Sequence, residues 1–331
     1  MREKLKIGII GVGMVGSPLK RYFEELKGYE RGKDLFAYDI DPRKGYGDDV
    51  NQAHAIFVCV PTPRAGDGTA DLSAIDRAFR MLESEKIVII KSTVPPGTTE
   101  LFQKRYPQHK VLFNPEFLTE RRAWEDMVSP DRQIMGYTSA SRQYASMLLG
   151  LLPTAFFSSP GTLGTYRFVR INATEAEMGK YAGNLFGALK VSFGNVMKDF
   201  CDSLASVLAH KGVSYTVTYD HVRAMLAHDR RIGDAWLDAE HGGYRGYGGY
   251  CFVKDTDALI ESGGELLKNL PQDSFEHIRL AKGLAFLCAM REYNAALLAT
   301  QGLTPDEVAV HDHEWIAKKL ETRDKRQETR R

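Results

Sequence analysis

Leu5-Lys6-Ile7-Gly8-Ile9-Ile10-Gly11-Val12-Gly13-Met14-Val15-Gly16 is the stretch whose reading decides the fold. Its first half is a short apolar run suited to a buried parallel strand. Its second half spaces three glycines as G-x-G-x-x-G, and residues 17–26 then read as a helix. In such a strand–turn–helix unit the first glycine permits a tight turn. The second lets backbone approach a pyrophosphate, and the third lets the helix pack on the strand. The helix N-terminus supplies amide donors and a favourable dipole. A glycine motif alone says little; its setting between strand and helix makes it specific. Asp39 follows Gly16 by 23 residues, at the end of a second strand over 35–39, where a carboxylate would bond the ribose hydroxyls. Its charge would repel a 2′-phosphate, so NAD is favoured over NADP. The plainer alternative is a glycine turn in a flavin-binding or non-catalytic domain of the same class.

Outward from this unit, residues 55–60, 86–91, 111–113 and 133–136 read as further strands, and 73–84 as a helix. Strands alternating with helices predict an α/β fold with a doubly wound parallel sheet. The character changes near residue 170. Residues 173–210 form one long predicted helix, with helical sequence continuing to about 226. A glycine-rich loop is expected over 229–250 and helices over 258–267 and 275–300. The expected domains are therefore 1–165 for the dinucleotide, 166–270 as a helical central domain, and 271–331 as a short helical segment. The polar end, 321–331, is expected to be disordered. Phe186, Leu189, Phe193 and Met197 recur at helical spacing, most simply as intramolecular core.

The 331 residues carry 44 basic and 43 acidic side chains, a net charge of +1, so nothing points to nucleic acid or a membrane surface. Apolar content of 43% and charged content of 26% suit a soluble globular chain. No apolar run approaches a membrane span, and the N-terminus leads straight into a strand, which reads as the absence of a signal peptide. Cys59, Cys201, Cys251 and Cys288 are scattered without a C-x-x-C pair. That argues against a metal site and against a disulfide framework, and for a reducing cytoplasm.

Three constellations carry chemistry. Cys251 lies in Gly246-Tyr247-Gly248-Gly249-Tyr250-Cys251-Phe252-Val253-Lys254-Asp255, a lone thiol after flexible glycines, with an ammonium and a carboxylate just beyond. Glycines let backbone come close to a ligand, and a neighbouring cation favours the nucleophilic thiolate. Lys180 and Asn184 lie four apart on the long helix, hence on one face. Such a pair can stabilise and orient a reacting oxygen. A lone helix lysine usually sits in solvent, but Gly179 and Gly183 beside it suggest packing or ligand approach. Glu116 and Glu120, in Asn114-Pro115-Glu116-Phe117-Leu118-Thr119-Glu120, would share a helix face if the segment is helical. Two carboxylates in one cleft can have their pKa values pushed apart, leaving one as a base. The alternative is a charged first helical turn.

Together these segments resemble the UDP-glucose/GDP-mannose dehydrogenase family, UDP-glucose 6-dehydrogenases above all. The resemblance rests on Gly11 to Gly16, Val60-Pro61-Thr62-Pro63, Asp71-Leu72-Ser73, Lys91-Ser92-Thr93-Val94-Pro95, Asn114 to Glu120, Glu175 to Asn184, Arg231-Ile232-Gly233 and the cysteine loop. It implies a Rossmann domain, a helical domain with a long central helix, and oxidation of a nucleotide-sugar alcohol to a carboxylate with two NAD. Cys251 would form a thiohemiacetal and then a thioester. Lys180 and Asn184 would hold the reacting oxygen, Asp255 and Thr93 would position a water, and Glu120 would act as base through it. The cofactor would meet Gly11, Val12, Gly13, Met14, Val15, Gly16, Asp39, Thr62, Thr93 and Lys254. The nucleotide sugar would meet Glu116, Phe117, Leu118, Glu120, Lys180, Asn184, Arg231 and Gly248, with Arg231 often supplied by a neighbouring subunit. A homodimer is implied as well. The family usually has a third, C-terminal nucleotide-holding domain; only 76 residues follow Asp255, and they show no second glycine fingerprint, so no full third domain is expected. Two other readings remain open: a single-step β-hydroxyacid-type dehydrogenase, which shares the Lys-x-x-x-Asn helix but needs no Cys251, and a non-catalytic NAD-binding relative.

Overall fold

The structure, a computed structural model, describes residues 4–155, 157–160, 170–214, 216–240 and 243–309. The tail at 321–331 and the expected boundary at 165/166 lie outside the described residues. The chain divides into two compact units, residues 1–65 with 70–180, and residues 66–69 with 181–331.

The first unit holds β1 (Ile7–Ile10), α1 (Gly16–Lys27), β2 (Leu35–Tyr38), β3 (Ala55–Val58), α2 (Ser73–Arg80), β4 (Ile87–Ile90), α3 (Thr98–Arg105), β5 (Lys110–Phe113), α4 (Ala123–Val128), β6 (Arg132–Ile134), β7 (Gly136–Tyr137), α5 (Arg142–Leu149) and β8 (Phe157–Ser159). Its main sheet has the order β2-β1-β3-β4-β5-β7. The first five strands are parallel, with Ile7 opposite both Leu35 and Ala55, and β7 is antiparallel to β5. Chain order reverses at β1, which opens a crevice at the carboxyl ends of β1 and β3. Residues 133–136, read from sequence as one strand, are two. β6 pairs with β8 in a separate sheet, and β7 joins the main one.

Alternation along the strands feeds two apolar layers. Ile7, Ile9 and Phe57 pack with Leu19 and Phe23 on one face, while Ile10, Ile56 and Val58 pack with Ile75 and Phe79 on the other. Each such side chain, when fully buried, contributes roughly 1.5–3 kcal/mol. The glycine turn is needed for sterics. Gly11 has φ +90°, and a Cβ on Gly16 would fall 1.9 Å from the Gly11 carbonyl oxygen.

α6 (Ala173–His210) begins in the first unit and continues through the second. The second unit adds α7 (Tyr219–Ala227), α8 (Gly249–Asn269), α9 (Phe275–Ala299) and α10 (Pro305–Val308). Its core joins Ala188 and Val191 of α6 to Tyr244, Tyr247, Val253, Met290 and Leu298. α8 starts nine residues earlier than the expected helix at 258, because Gly248 serves as its N-cap and Gly249 as its first residue. The glycines were a helix start rather than the end of a loop. The expected apolar core stripe on α6 is also corrected: Leu189 and Met197 pack inward, but Phe186 is 59% and Phe193 46% exposed. Among the described residues, no helix is long and apolar enough to cross a membrane.

Candidate active site

In the first unit the glycine loop follows β1 directly, and Gly11 N–H donates to the Tyr38 carbonyl at 2.8 Å. Val15 offers no side-chain cap to α1, Ser17 N–H donates to the Gly13 carbonyl at 2.9 Å, Pro18 has no N–H to satisfy, and a Cβ on Gly13 would meet nothing within 4 Å. Asp39 follows β2. Its carboxylate accepts from Val12 N–H at 2.8 Å, from Asp41 N–H at 2.9 Å and from the Lys44 ammonium at 2.8 Å. Burial pushes its carboxyl up, but Lys44 and the two amides outweigh it and leave Asp39 below the ordinary range. These groups fit the phosphates and ribose of a dinucleotide. Lys44 was not singled out from sequence. Because its ammonium would be released in Asp39→Ser, that substitution is expected to lower the kcat/KM ratio of NAD over NADP roughly 10- to 100-fold, as one charge-assisted contact is removed and a phosphate partner gained. Initial rates with both cofactors check this.

Beyond β4, Lys91 is buried and donates to Asn114 Oδ1 at 2.7 Å, and Asn114 Nδ2 donates to Gln133 Oε1 and to the Ile134 carbonyl. Ser92 Oγ donates to the Val60 carbonyl at 2.6 Å, and Thr62 Oγ1 to the Thr93 carbonyl at 2.7 Å. Thr62 and Thr93 thus tie the loops after β3 and β4 together. Glu116, after β5, pairs with Lys180 at 2.8 Å, and both side chains are over nine-tenths buried. Glu116 also accepts from Leu118 N–H at 2.8 Å, and the Phe117 ring lies 5.5 Å from the Lys180 ammonium.

The electrostatics decide two alternatives that the sequence left open. Lys180 is a buried, paired ammonium and not a solvated one. Glu116 is not a raised-pKa base: burial pushes it up, but Lys180, the Leu118 amide and Lys91 together hold it below the usual carboxylate range. Residues 114–119 are not helical and Glu120 opens a short 3-10 turn, so Glu116 and Glu120 share no helix face. The Glu120 side chain lies outside the described residues. Gly179 makes no close packing, since a Cβ there would meet nothing within 4 Å. Lys91 is drawn down to about 8 by burial and by Lys180, against Cys59 and Glu116. Burial raises the Cys59 thiol to about 12, so that sulfur stays protonated.

In the second unit Cys251 occupies the first turn of α8 and is half-buried. Asp255, one turn on, is fully buried and accepts from Asn184 Nδ2 and from the Lys254 ammonium, each at 2.5 Å. Lys254 lies 5.5 Å from the Tyr250 ring. Gly248 cannot be larger, because its Cβ would sit 1.9 Å from Tyr244 Oη. Asn294 of α9 both accepts from Tyr247 N–H and donates to the Tyr247 carbonyl, which fixes the glycine approach to Cys251. Gly187 of α6 makes room for Phe252, whose ring would lie 2.5 Å from a Cβ there. Arg231 is exposed and held by Asp229 at 2.7 Å, while Lys190 donates to the carbonyls of Ile232 and Gly233. Asn294, Gly187 and Lys190 escaped the sequence reading. A polar residue within an apolar helical stretch was the available signal for Asn294.

Comparison with known proteins identifies relatives of this chain. The UDP-glucose/GDP-mannose dehydrogenase family matches twice, its NAD binding domain over residues 43–149 and its central domain over residues 174–272. A UDP-glucose 6-dehydrogenase of Rickettsia conorii is 34% identical over 224 residues, covering 65% of this chain and 46% of that protein. UDP-glucose 6-dehydrogenase YwqF of Bacillus subtilis is 31% identical over 311 residues, covering 80% of this chain and 65% of that one. The chain thus spans about half to two thirds of the length of these curated relatives. The solved UDP-glucose dehydrogenase of Pyrobaculum islandicum superposes with a TM-score of 0.67 at 28% identity, covering 88% of this chain and 68% of that chain.

Proposed function

Because the chain belongs to the UDP-glucose/GDP-mannose dehydrogenase family, we propose that it oxidises the primary alcohol of a nucleotide sugar to a carboxylate in two NAD-dependent steps, with UDP-glucose to UDP-glucuronate the first choice. The observation that carries this reading is Cys251 in the first turn of α8, one turn before a buried Asp255 held by Asn184 and Lys254. A single-step alcohol oxidation needs no thiol there.

When bound, NAD accepts the hydrides. Lys180 polarises the reacting oxygen, Glu116 keeps its ammonium placed, and Glu120, through a water, takes the alcohol proton as the first hydride leaves. Asn184 orients the same oxygen. The Cys251 thiolate, favoured at a helix start, adds to the aldehyde carbon and gives a thiohemiacetal. Loss of the second hydride leaves a thioester, so the aldehyde cannot escape between steps. Water held by Asp255 and Thr93 and deprotonated by Glu120 then cleaves the thioester, giving the carboxylate and restoring the thiol. The glycine loop, Asp39 and Thr62 serve the cofactor, and Arg231, Gly248, Phe117 and Leu118 the nucleotide sugar. The test is NADH formation with UDP-glucose, UDP-N-acetylhexosamines and GDP-mannose. Turnover with one of them is expected; NAD binding without turnover on any favours a non-catalytic relative.

The same reading includes a homodimer through α6. Phe186, Phe193, Phe200 and Val207 recur every seven residues on this helix and are between 46% and 68% exposed. Such a row stays nearly straight over two-turn steps and is suited to a partner surface. Phe193→Asp with Phe200→Asp is expected to convert a dimer to a monomer in sedimentation at micromolar concentration. A monomeric wild-type protein under those conditions contradicts the assignment.

A further inference from the structure

We propose that Glu177 is a positioning residue that clasps the loop carrying Thr93 to the turn of α6 carrying Lys180. Its role in turnover rests on the nucleotide-sugar reading, while the clasp stands on geometry alone. Glu177 is fully buried. Its carboxylate accepts Gly97 N–H at 2.6 Å, Thr99 N–H at 2.8 Å and the Thr99 hydroxyl at 2.6 Å. These donors belong to the start of α3, whose N-cap, Gly97, has no side chain to cap it. A residue about 80 positions away in sequence therefore caps the helix.

The loop at 92–97 has its other anchor in the loop after β3, through Ser92 to the Val60 carbonyl and Thr62 to the Thr93 carbonyl. Lys180 lies three residues beyond Glu177 on α6 and pairs with Glu116. The α6 turn is itself pressed onto β7, since a Cβ on Gly136 would lie 2.8 Å from Ala176 Cβ. Thr93 and Lys180 therefore cannot shift independently while the clasp is closed.

The Gly97 and Thr99 N–H groups can only donate and the Thr99 hydroxyl donates here, so the carboxylate is the form that accepts from all three. Burial raises the Glu177 carboxyl to about 7 against the Thr99 and Gly97 hydrogen bonds, with Glu100 of α3 the charged side chain adding to the rise. Two opposite pH dependences follow. Activity needs the ionised clasp and falls as pH drops below about 7. Stability runs the other way. Between the ordinary 4.5 and about 7 the folded state holds a proton that the unfolded chain releases. This contribution therefore diminishes as pH rises through that window. A purely structural role would make activity follow stability.

The experiment compares wild type with Glu177→Gln, whose amide nitrogen must confront either the Gly97 or the Thr99 N–H. The variant is expected to lose kcat about 10- to 100-fold, the scale of a misplacement near 1 Å. KM for NAD should change little, the acidic fall in kcat should vanish, and the unfolding midpoint should lose the pH slope described above. Glu100→Gln is expected to keep the plateau rate and move the acidic fall to lower pH. Unchanged kcat and pH profile in Glu177→Gln overturns the proposal, as does a loss that matches the unfolded fraction. Should Glu177→Gln not fold, Thr99→Val removes one donor and is expected to move the acidic fall upward, while an unmoved profile overturns the proposal. If wild type forms no NADH, the nucleotide-sugar reading fails. Amide hydrogen exchange at Gly97 and Thr99 then decides the clasp: faster exchange in Glu177→Gln supports it and equal exchange overturns it.

Discussion

Replacing Cys251 with alanine is expected to abolish acid formation while leaving the chain folded and able to bind NAD. The residue is half-buried at the start of α8, and alanine is a good helix former, so the stability change should stay within about 1 kcal/mol. The chemical loss is far larger. Without the sulfur no thioester can form, and carboxylate production should fall by at least about 10³-fold, the scale for removing a nucleophile. The first oxidation does not use the thiol, so slow release of aldehyde with one NADH is the expected residue of activity. Quantifying aldehyde and acid by chromatography separates the outcomes. One NADH per substrate with a carbonyl product, at a rate indifferent to Cys251→Ala, would favour the β-hydroxyacid-type reading, in which this loop has no chemical part.

The second large effect is expected at Lys180. Lys180→Met keeps the length and apolar stem but removes the ammonium from a buried carboxylate. Breaking a buried pair on one side typically costs about 3–5 kcal/mol. The loss of oxyanion stabilisation should also lower kcat by roughly 10²–10³-fold. The pH dependence should change sign. In the wild type Glu116 is held below its ordinary value, so its contribution to stability is present above the unfolded value near 4.5 and disappears as pH falls through the folded value. With Lys180 gone, burial dominates, Glu116 rises, and stability should instead fall as pH rises. Adding Glu116→Gln removes the stranded charge. The double variant should regain most of the lost stability and none of the lost activity. Thermal unfolding at pH 3, 5 and 8, with initial rates at pH 8, checks both halves.

These two residues differ in how far the sequence revealed them. Cys251, the glycine fingerprint and Asp39 are local patterns. A tight turn, a close backbone approach and a strand-end carboxylate each depend on neighbours within a short stretch. The parallel sheet was legible for the same reason, because apolar runs such as 55–58 and 87–90 are buried on both faces and read as continuous strands. The pairing of Glu116 with Lys180 spans 64 residues, and that of Asn184 with Asp255 spans 71. No spacing rule reaches that far. Glu177 stood in the quoted helix segment, yet its partners on α3 exist only once α6 packs on the sheet. The glycines at 248 and 249 misled in the other direction: read as loop, they start a helix, where one glycine admits Tyr244 and the next takes φ +73°. The aromatic stripe of α6 misled because periodicity marks a buried face without saying what buries it.

The central claim is that one substrate molecule is oxidised twice on this protein. The direct test is the molar ratio of NADH formed to nucleotide sugar consumed, at complete conversion with the substrate that turns over. A ratio of two, with carboxylate as the product, is the expected result. A ratio of one, with the aldehyde or ketone as the product, would contradict the account.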